Sequence, residues 1–328
     1  MDEREIIDAA LSTLFGRDLF RNEPMSRHTT LRVGGNARWY WPATDVERLS
    51  MVLTACWDLD VPYLLVGHGS NLLMSDRGYH GLIIQNRCKK TEIPTGLSSS
   101  MVYSECGVSL GSLFSQTARA GLSGLEWGVG IPGTVGGALV SNAGAYRGNI
   151  GPLVRSVRVV SEGRDMTVDP QWMEFSYRDS KLRRAGIGKT VVLSCTLELI
   201  SGDSDEILSR AKYYQQQRKL KQPFHPSAGS FFKNVIDKEL ALSLPGLPHE
   251  LKQAGVVPAG YLIEACGLKG LIVGGAQSSE KHANFLINTG TGATASHFYK
   301  LAATIKEDVC KKYGVTLEEE VLYVGDWD

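Results

Sequence analysis

Apolar positions recur at helical spacing in only a few stretches of this 328-residue chain. At the start, MDEREIIDAALSTLFG puts Ile6, Ala9, Ala10 and Leu14 on one face of an amphipathic helix. LRVGGNARWYWPAT at 31–44 reads as a short strand pair around a Gly-Gly turn. Residues 45–58 predict a second helix. VPYLLVGHGSNLLMSDRGYHGLII (61–84) reads as strand, glycine turn, strand, and 101–120 as a strand followed by a helix. Apolar β-like runs crowd 153–200, among them RSVRVVS, KTVVLSC and TLELI. From 203 the pattern turns polar, and DSDEILSRAKYYQQQRKLKQ predicts a long solvated helix at a domain boundary. Residues 246–310 alternate helix and strand, and the tail GVTLEEEVLYVGDWD ends in a strand. Helices segregated from short strands predict an α+β fold rather than a doubly wound sheet.

Length and charge narrow the class. A chain of 328 residues has room for two or three domains, each with its own core. Its 35 basic and 35 acidic residues balance, which argues against nucleic acid as a main partner. No apolar run approaches the ~18 residues of a membrane span. The acidic start does not read as a secretory signal. Six scattered cysteines without CxxC spacing argue against a disulfide framework or a metal cluster, and fit a reducing cytoplasm. Seven dispersed histidines without HExxH imply no catalytic metal.

The chemistry sits in glycine-rich stretches. GVGIPGTVGGALVSNAGAY (128–146) holds six glycines and a proline, a poor helix and a poor strand. Gly128, Gly130 and Gly133 match GxGxxG, but Pro132 lies inside the motif and Gly136 and Gly137 interrupt the helix that should follow. Glu162 comes too late to be the ribose acid, and no Gly-Lys-Ser/Thr marks a P-loop. A bland tight loop remains possible for this stretch alone. A second turn, VGHGSN (66–71), changes the balance. Two glycine turns with small hydroxyl and amide side chains can cradle one extended diphosphate, as in a flavin dinucleotide held outside the Rossmann scheme.

LLVGHGSNLLMSDRGYHGLII, GLSGLEWGVGIPGTVGGALVSNAGAY, FSYRDS, PSAGSFFKN and LEEEV occur in this order. Together they resemble the UDP-N-acetylenolpyruvoylglucosamine reductases, flavoenzymes of peptidoglycan precursor synthesis. The likeness runs over roughly residues 28–325. It implies a two-part FAD-binding domain of the vanillyl-alcohol-oxidase/PCMH type plus a smaller α+β substrate-binding domain. The implied segments are 1–88 and 89–204 for the two FAD-binding parts, 205–311 for substrate, and 312–328 as a strand returning to the active site. It implies non-covalent FAD, NADPH as co-substrate, and a cytoplasmic enzyme. Hydride would pass from NADPH through flavin N5 to the terminal carbon of the enolpyruvyl group. A proton would then reach the neighbouring carbon, giving UDP-N-acetylmuramate.

By the same resemblance, Gly67, Gly69, Ser70, Asn71, Leu72, Gly133, Thr134, Gly137 and Ala143 would contact FAD. Arg178 in SYRDS would hold the substrate carboxylate, a task that suits a guanidinium fork. Taken alone it reads as a surface arginine beside Asp179. Ser230 in AGSFFKN would donate the proton, activated by Lys233 or by a water chain; taken alone it reads as a turn serine. Glu320 would be the catalytic carboxyl. LEEEV has Glu319 where the family has proline, so Glu318 competes for the role. On a strand over 317–323, Glu318 and Glu320 would share a face. Lys221 would meet the UDP diphosphate or simply end a helix, and Asn234, Tyr146 and Tyr177 would touch substrate. Val235 stands where the family usually has proline, and His282 is ambiguous.

Only residues 179–229 separate Arg178 from Ser230, so the inserted tyrosine clamp of one family subtype is absent and the shorter subtype is implied. His68 replaces a glycine near the turn where some oxidases attach flavin covalently, but its neighbours follow the reductases. An FAD-linked oxidase of the same fold, using oxygen, is the rival reading. A sugar-nucleotide-binding protein without catalysis is a second.

Overall fold

The computed structural model describes residues 3–94, 100–186 and 188–327. The chain divides into two compact units. The first comprises Met1–Glu23, Ala37–His68 and Tyr79–Arg218; the second comprises Pro24–Asn36, Gly69–Gly78 and Lys219–Asp328. The four segments expected from the sequence follow chain order, and these units do not. The reason is apolar burial: Leu31, Val33 and Leu73 are packed into the core of the second unit, far from them in sequence.

Two larger sheets frame the first unit. In one, strand Tyr79–Asn86 pairs in parallel with Asn36–Ala43 and Tyr63–Val66. Helix Val46–Asp58 makes the crossover, capped by the Asp45 carboxylate on Arg48 N–H at 2.7 Å. The other is antiparallel, with order Arg164–Val168, Val154–Ser161, Thr190–Glu198, Met101–Glu105 and Thr91–Glu92. Helix Leu110–Arg119 buries Leu113, Phe114 and Thr117 beneath it.

Two local expectations need correction. The strand pair at 31–44 is one strand, Asn36–Ala43. Gly34 and Gly35 serve close approach instead of a hairpin: a Cβ at Gly35 would collide with the Asp76 carbonyl and the Gly78 amide. The first helix, Glu3–Phe15, also turns a different face inward. Ile7 packs with Leu11 and Phe15, spaced by four, and Phe15 lies 4.8 Å from Trp41. Ala9 is exposed and Leu14 is 38% exposed; the Ile6 and Ala10 side chains lie outside the described set.

The second unit is built on an antiparallel sheet, Ser227–Ser230, Phe285–Asn288, Ala276–Ser278 and Ile272–Val273. Helix Ala295–Tyr313 covers it, burying Phe298, Leu301, Ala302, Ile305 and Val309. Its first turn is held by the Asp76 carboxylate, which accepts from Ala295 N–H at 2.7 Å and Ser296 N–H at 2.8 Å. Strand Leu322–Val324 pairs in parallel with Leu72–Met74. Among the described residues, no helix is long and apolar enough to cross a membrane.

Leu11→Ala should destabilise the protein by about 2–5 kcal/mol through a core cavity, while Leu14→Ala stays within about 0.5 kcal/mol. Urea unfolding of both variants checks the corrected face; equal losses would refute it.

Candidate active site

In the first unit the two glycine-rich turns meet. A Cβ at Gly67 would lie 2.5 Å from Thr134 Oγ1 and 2.8 Å from its Cγ2, so only glycine allows this approach. Gln85 Nε2 donates to Gly67 O at 3.3 Å. The stretch 128–146 runs beside residues 106–110: Leu110 N–H donates to Gly133 O and Val135 N–H to Val108 O. Thr134 then caps a short helix, Val135–Val140, accepting from Gly137 N–H at 3.2 Å. The six glycines divide by role. Gly128, Gly136 and Gly144 let Leu110, Cys106 and the Gly148–Asn149 strand pack close. Gly130 and Gly133 adopt φ of 73° and 146°, and Gly137 has only Thr134 Oγ1 nearby at 3.6 Å. Neither turn carries an acidic residue. Small residues, a close backbone approach and the absence of carboxylates fit a dinucleotide diphosphate.

The SYRDS motif is tied to the same stretch. Ser176 and Asp179 exchange backbone hydrogen bonds of 3.1 and 3.3 Å, placing Tyr177 and Arg178 at the tip of a tight turn. Arg178 adopts φ 53°, a region that non-glycine residues seldom occupy, and such strain concentrates at functional sites. Asn142 Nδ2 donates to Ser176 O at 2.8 Å and Ser180 Oγ to Val140 O at 2.7 Å, anchoring the turn. The Asp179 carboxylate is bound by Arg184, so Asp179 is spoken for elsewhere.

In the second unit a backbone contact joins the serine and glutamate motifs. Phe232 bridges Glu319 antiparallel, Lys233 N–H donates to Glu318 O at 2.8 Å, and Glu320 N–H donates to Phe231 O at 2.8 Å. Ser230 ends a strand whose pairing with Phe285–Asn288 is irregular, a feature that re-aims side chains. Gly229 before it has φ 79°, with open space where a Cβ would stand. Asn284 clamps the next two residues: its O accepts from Phe231 N–H at 2.7 Å, its Oδ1 from Phe232 N–H at 2.9 Å, and its Nδ2 donates to Phe232 O at 2.8 Å. Asn71 closes the other side, with Nδ2 donating to Glu320 O and its own O accepting from Leu322 N–H, both at 3.0 Å. Thr30 links the glycine turn to the serine strand, donating from N to Gly69 O at 3.1 Å and from Oγ1 to Ser227 O at 2.7 Å.

Glu318 pairs with Lys233, and Glu319 takes Lys306 Nζ at 2.8 and 3.0 Å. Residues 317–323 are not one strand: the chain bridges at Glu319, bends at 320–321, and pairs again from Leu322.

The comparisons bear on this geometry. Residues 40–166 match the family profile "FAD binding domain", and residues 219–324 match "UDP-N-acetylenolpyruvoylglucosamine reductase, C-terminal domain". A UDP-N-acetylenolpyruvoylglucosamine reductase of Lachnoclostridium phytofermentans is 36% identical over 93% of this chain and 92% of its own. One from Geobacter metallireducens is 38% identical over 94% and 95%. The chain belongs to the UDP-N-acetylenolpyruvoylglucosamine reductase family. The crystal structure of the reductase from Thermus caldophilus matches with a TM-score of 0.72 at 32% identity, covering 93% of this chain and 97% of that one.

Set against the reductase expectations, the structure sorts the candidates. Gly67, Gly133, Thr134, Gly137, Ala143, Tyr146, Tyr177 and Arg178 belong to the first unit; Gly69, Ser70, Asn71, Leu72, Lys221, Ser230, Asn234 and Glu320 belong to the second. Tyr146 stacks on Tyr214 at 4.2 Å, and its hydroxyl donates to Tyr214 O at 3.1 Å. Asn234 Oδ1 accepts from Ala259 N–H at 3.3 Å, holding the start of helix Ala259–Ala265. Lys221 is exposed at the end of helix Ser204–Lys221. Lys233 reaches the Glu318 carboxylate, which weakens its claim as the activator of Ser230.

Asn284 and Arg218 escaped sequence reasoning. Asn284 had a signal, an amide set among apolar residues in HANFLIN. A 310 Å³ cavity beside Trp57, Tyr63 and Lys189 contains none of the expected site residues.

His282, against Gly260 and the Phe285 ring, is pushed below its ordinary value by burial, with the Lys269 and Lys221 charges acting the same way. The unfolded chain then takes up a proton that the folded chain refuses, so stability falls as the pH drops below 6.5. His282→Gln should flatten that loss in chemical unfolding between neutral and mildly acid pH. An unchanged slope would contradict it.

Proposed function

We propose that this chain reduces UDP-N-acetylglucosamine enolpyruvate to UDP-N-acetylmuramate, with non-covalently bound FAD and with NADPH as the reductant. The observation that carries the reading is the clamped contact of Phe231–Lys233 with Glu318–Glu320, which fixes the backbone of both the Ser230 and Glu320 motifs. Bound FAD would supply the hydride relay from NADPH to the enolpyruvyl carbon.

The chain's own residues take the remaining tasks. Gly67, Gly133, Thr134, Gly137 and Ala143, with Gly69, Ser70, Asn71 and Leu72, hold FAD. Arg178 holds the substrate carboxylate, where charge accumulates once the terminal carbon has received hydride. Ser230 gives its proton to the neighbouring carbon. Glu320 carries the carboxyl beside that carbon, as the alignment of LEEEV on Leu317 and Val321 gives it. Lys221, Asn234, Tyr146 and Tyr177 bind substrate, and a cytoplasmic setting goes with the nucleotide substrates. The two relatives and the Thermus caldophilus structure named above, which match over nearly the whole chain, are reductases, so the oxygen-using oxidase is not favoured.

The test is an anaerobic half-reaction followed by flavin absorbance. NADPH should bleach the flavin, and the enolpyruvyl nucleotide should restore the oxidised spectrum without oxygen. Reversal only on admitting oxygen would sink the reading. Ser230→Ala should leave bleaching by NADPH nearly intact and slow the second half-reaction. Arg178→Ala and Glu320→Ala should each lose roughly 3–4 kcal/mol of transition-state stabilisation, measured as kcat/KM. Near-normal turnover in either variant would reject its role.

A further inference from the structure

Arg218, in the last turn of helix Ser204–Lys221, is an arginine held at a cost. Its Nη2 donates to Trp127 O at 3.0 Å. Its Nε is buried without a hydrogen-bond partner. Leaving such a buried donor unmade is costly. Its guanidinium lies 5.2 Å from the Tyr146 ring centroid, and Tyr146 is itself fixed by stacking on Tyr214. Among the described residues no carboxylate is paired with it. Burial depresses its pKa, and the Arg178 cation acts the same way, against an opposing effect of Tyr146. Arg218 also borders the glycine stretch: a Cβ on Gly130 would stand 3.4 Å from its Cδ.

Elsewhere in this unit arginines find acids. Arg158 takes Glu47 and Asp165, Arg184 takes Asp179 and Glu174, and Arg155 takes Glu198. Like charges brought together, one of them lacking any acid, destabilise a folded chain unless an anion from outside joins them. Trp127 O and the Tyr146 ring fix the guanidinium, so it meets that anion already oriented.

We propose that Arg218 is a second guanidinium for the substrate carboxylate, acting beside Arg178. This rests on the reductase reading above. The electron count gives the reason for two cations. The enolpyruvyl carboxylate carries one negative charge. Hydride addition to the terminal carbon moves the alkene pair into the carboxylate, giving an enediolate with a second, and protonation of the neighbouring carbon returns it to one. One guanidinium matches the ground state; two match the intermediate. The glycine stretch beside Arg218 raises a competing source of anion, the FAD diphosphate, and the test separates the two.

The experiment uses the oxidised holoenzyme with no NADPH. Calorimetry compares UDP-N-acetylglucosamine enolpyruvate with UDP-N-acetylglucosamine, which has the same diphosphate and sugar but no carboxylate. Arg218→Gln should weaken the enolpyruvyl nucleotide by about tenfold or more, the scale of a charge-assisted hydrogen bond, and leave UDP-N-acetylglucosamine within about twofold. FAD content should be unchanged. Arg218→Lys keeps the charge without the fork, so it should fall between and guards against a misfolded glutamine variant. Equal weakening of both nucleotides would overturn the proposal in favour of the substrate diphosphate or a packing role. Loss of FAD with an unchanged nucleotide ratio would overturn it in favour of the cofactor diphosphate. A wild-type enzyme that does not bind the enolpyruvyl nucleotide would bring down the reductase reading itself, and this inference with it.

Discussion

Three residues meeting three residues hold the Ser230 and Glu320 motifs of the second unit in place. Phe231–Lys233 and Glu318–Glu320 share backbone hydrogen bonds, with Asn284 gripping one side and Asn71 the other. Backbone bonds set positions that side chains alone hold loosely, because they leave the peptide planes little freedom. Ser230 and Glu320 lie at the same end of this small ladder, since Glu320 pairs with Phe231, the residue after Ser230. Their spacing is therefore a property of main-chain geometry, supported by Phe231 and Phe232, which are fully buried beneath it. The bulged strand before Ser230 and the bend at 320–321 free the two side chains from sheet regularity.

The first unit is organised by charge. Its exposed faces pair arginines with acids, whereas the ground around residues 127–146 gathers Arg178 and Arg218 and supplies no carboxylate to either glycine turn. The Tyr146 ring and the Trp127 carbonyl orient Arg218. A surface with cations and no carboxylate in its glycine turns attracts anions.

Much of this was legible in the sequence. The helix read at 45–58 is Val46–Asp58, and the polar run after 203 is Ser204–Lys221. The motif order disclosed the family, because the order and spacing of several motifs together are more specific than any one of them. The failures have physical causes. The first helix offered two apolar stripes, and only the position of Trp41 selects Leu11 and Phe15. Gly34–Gly35 looked like a hairpin because glycine marks both turns and tight backbone contacts, and sequence does not separate the two. Arg218 lay hidden in a polar helix, since its meaning depends on a tyrosine and a carbonyl distant in the chain.

The interleaved chain path has a consequence for synthesis on the ribosome. Leu72–Met74 emerges early, with Leu72, Leu73 and Met74 all destined for burial. Its partner strand, Leu322–Val324, is made some 250 residues later (322 − 72). Until then the segment is an apolar strand with an open edge, the kind of surface that recruits wrong partners. The second unit cannot complete itself from residues 219–324 alone, since Leu31, Val33 and Leu73 fill part of its core. A nascent chain of this protein thus spends most of its translation with one unit waiting, a burden that falls on chaperones and on the rate of elongation.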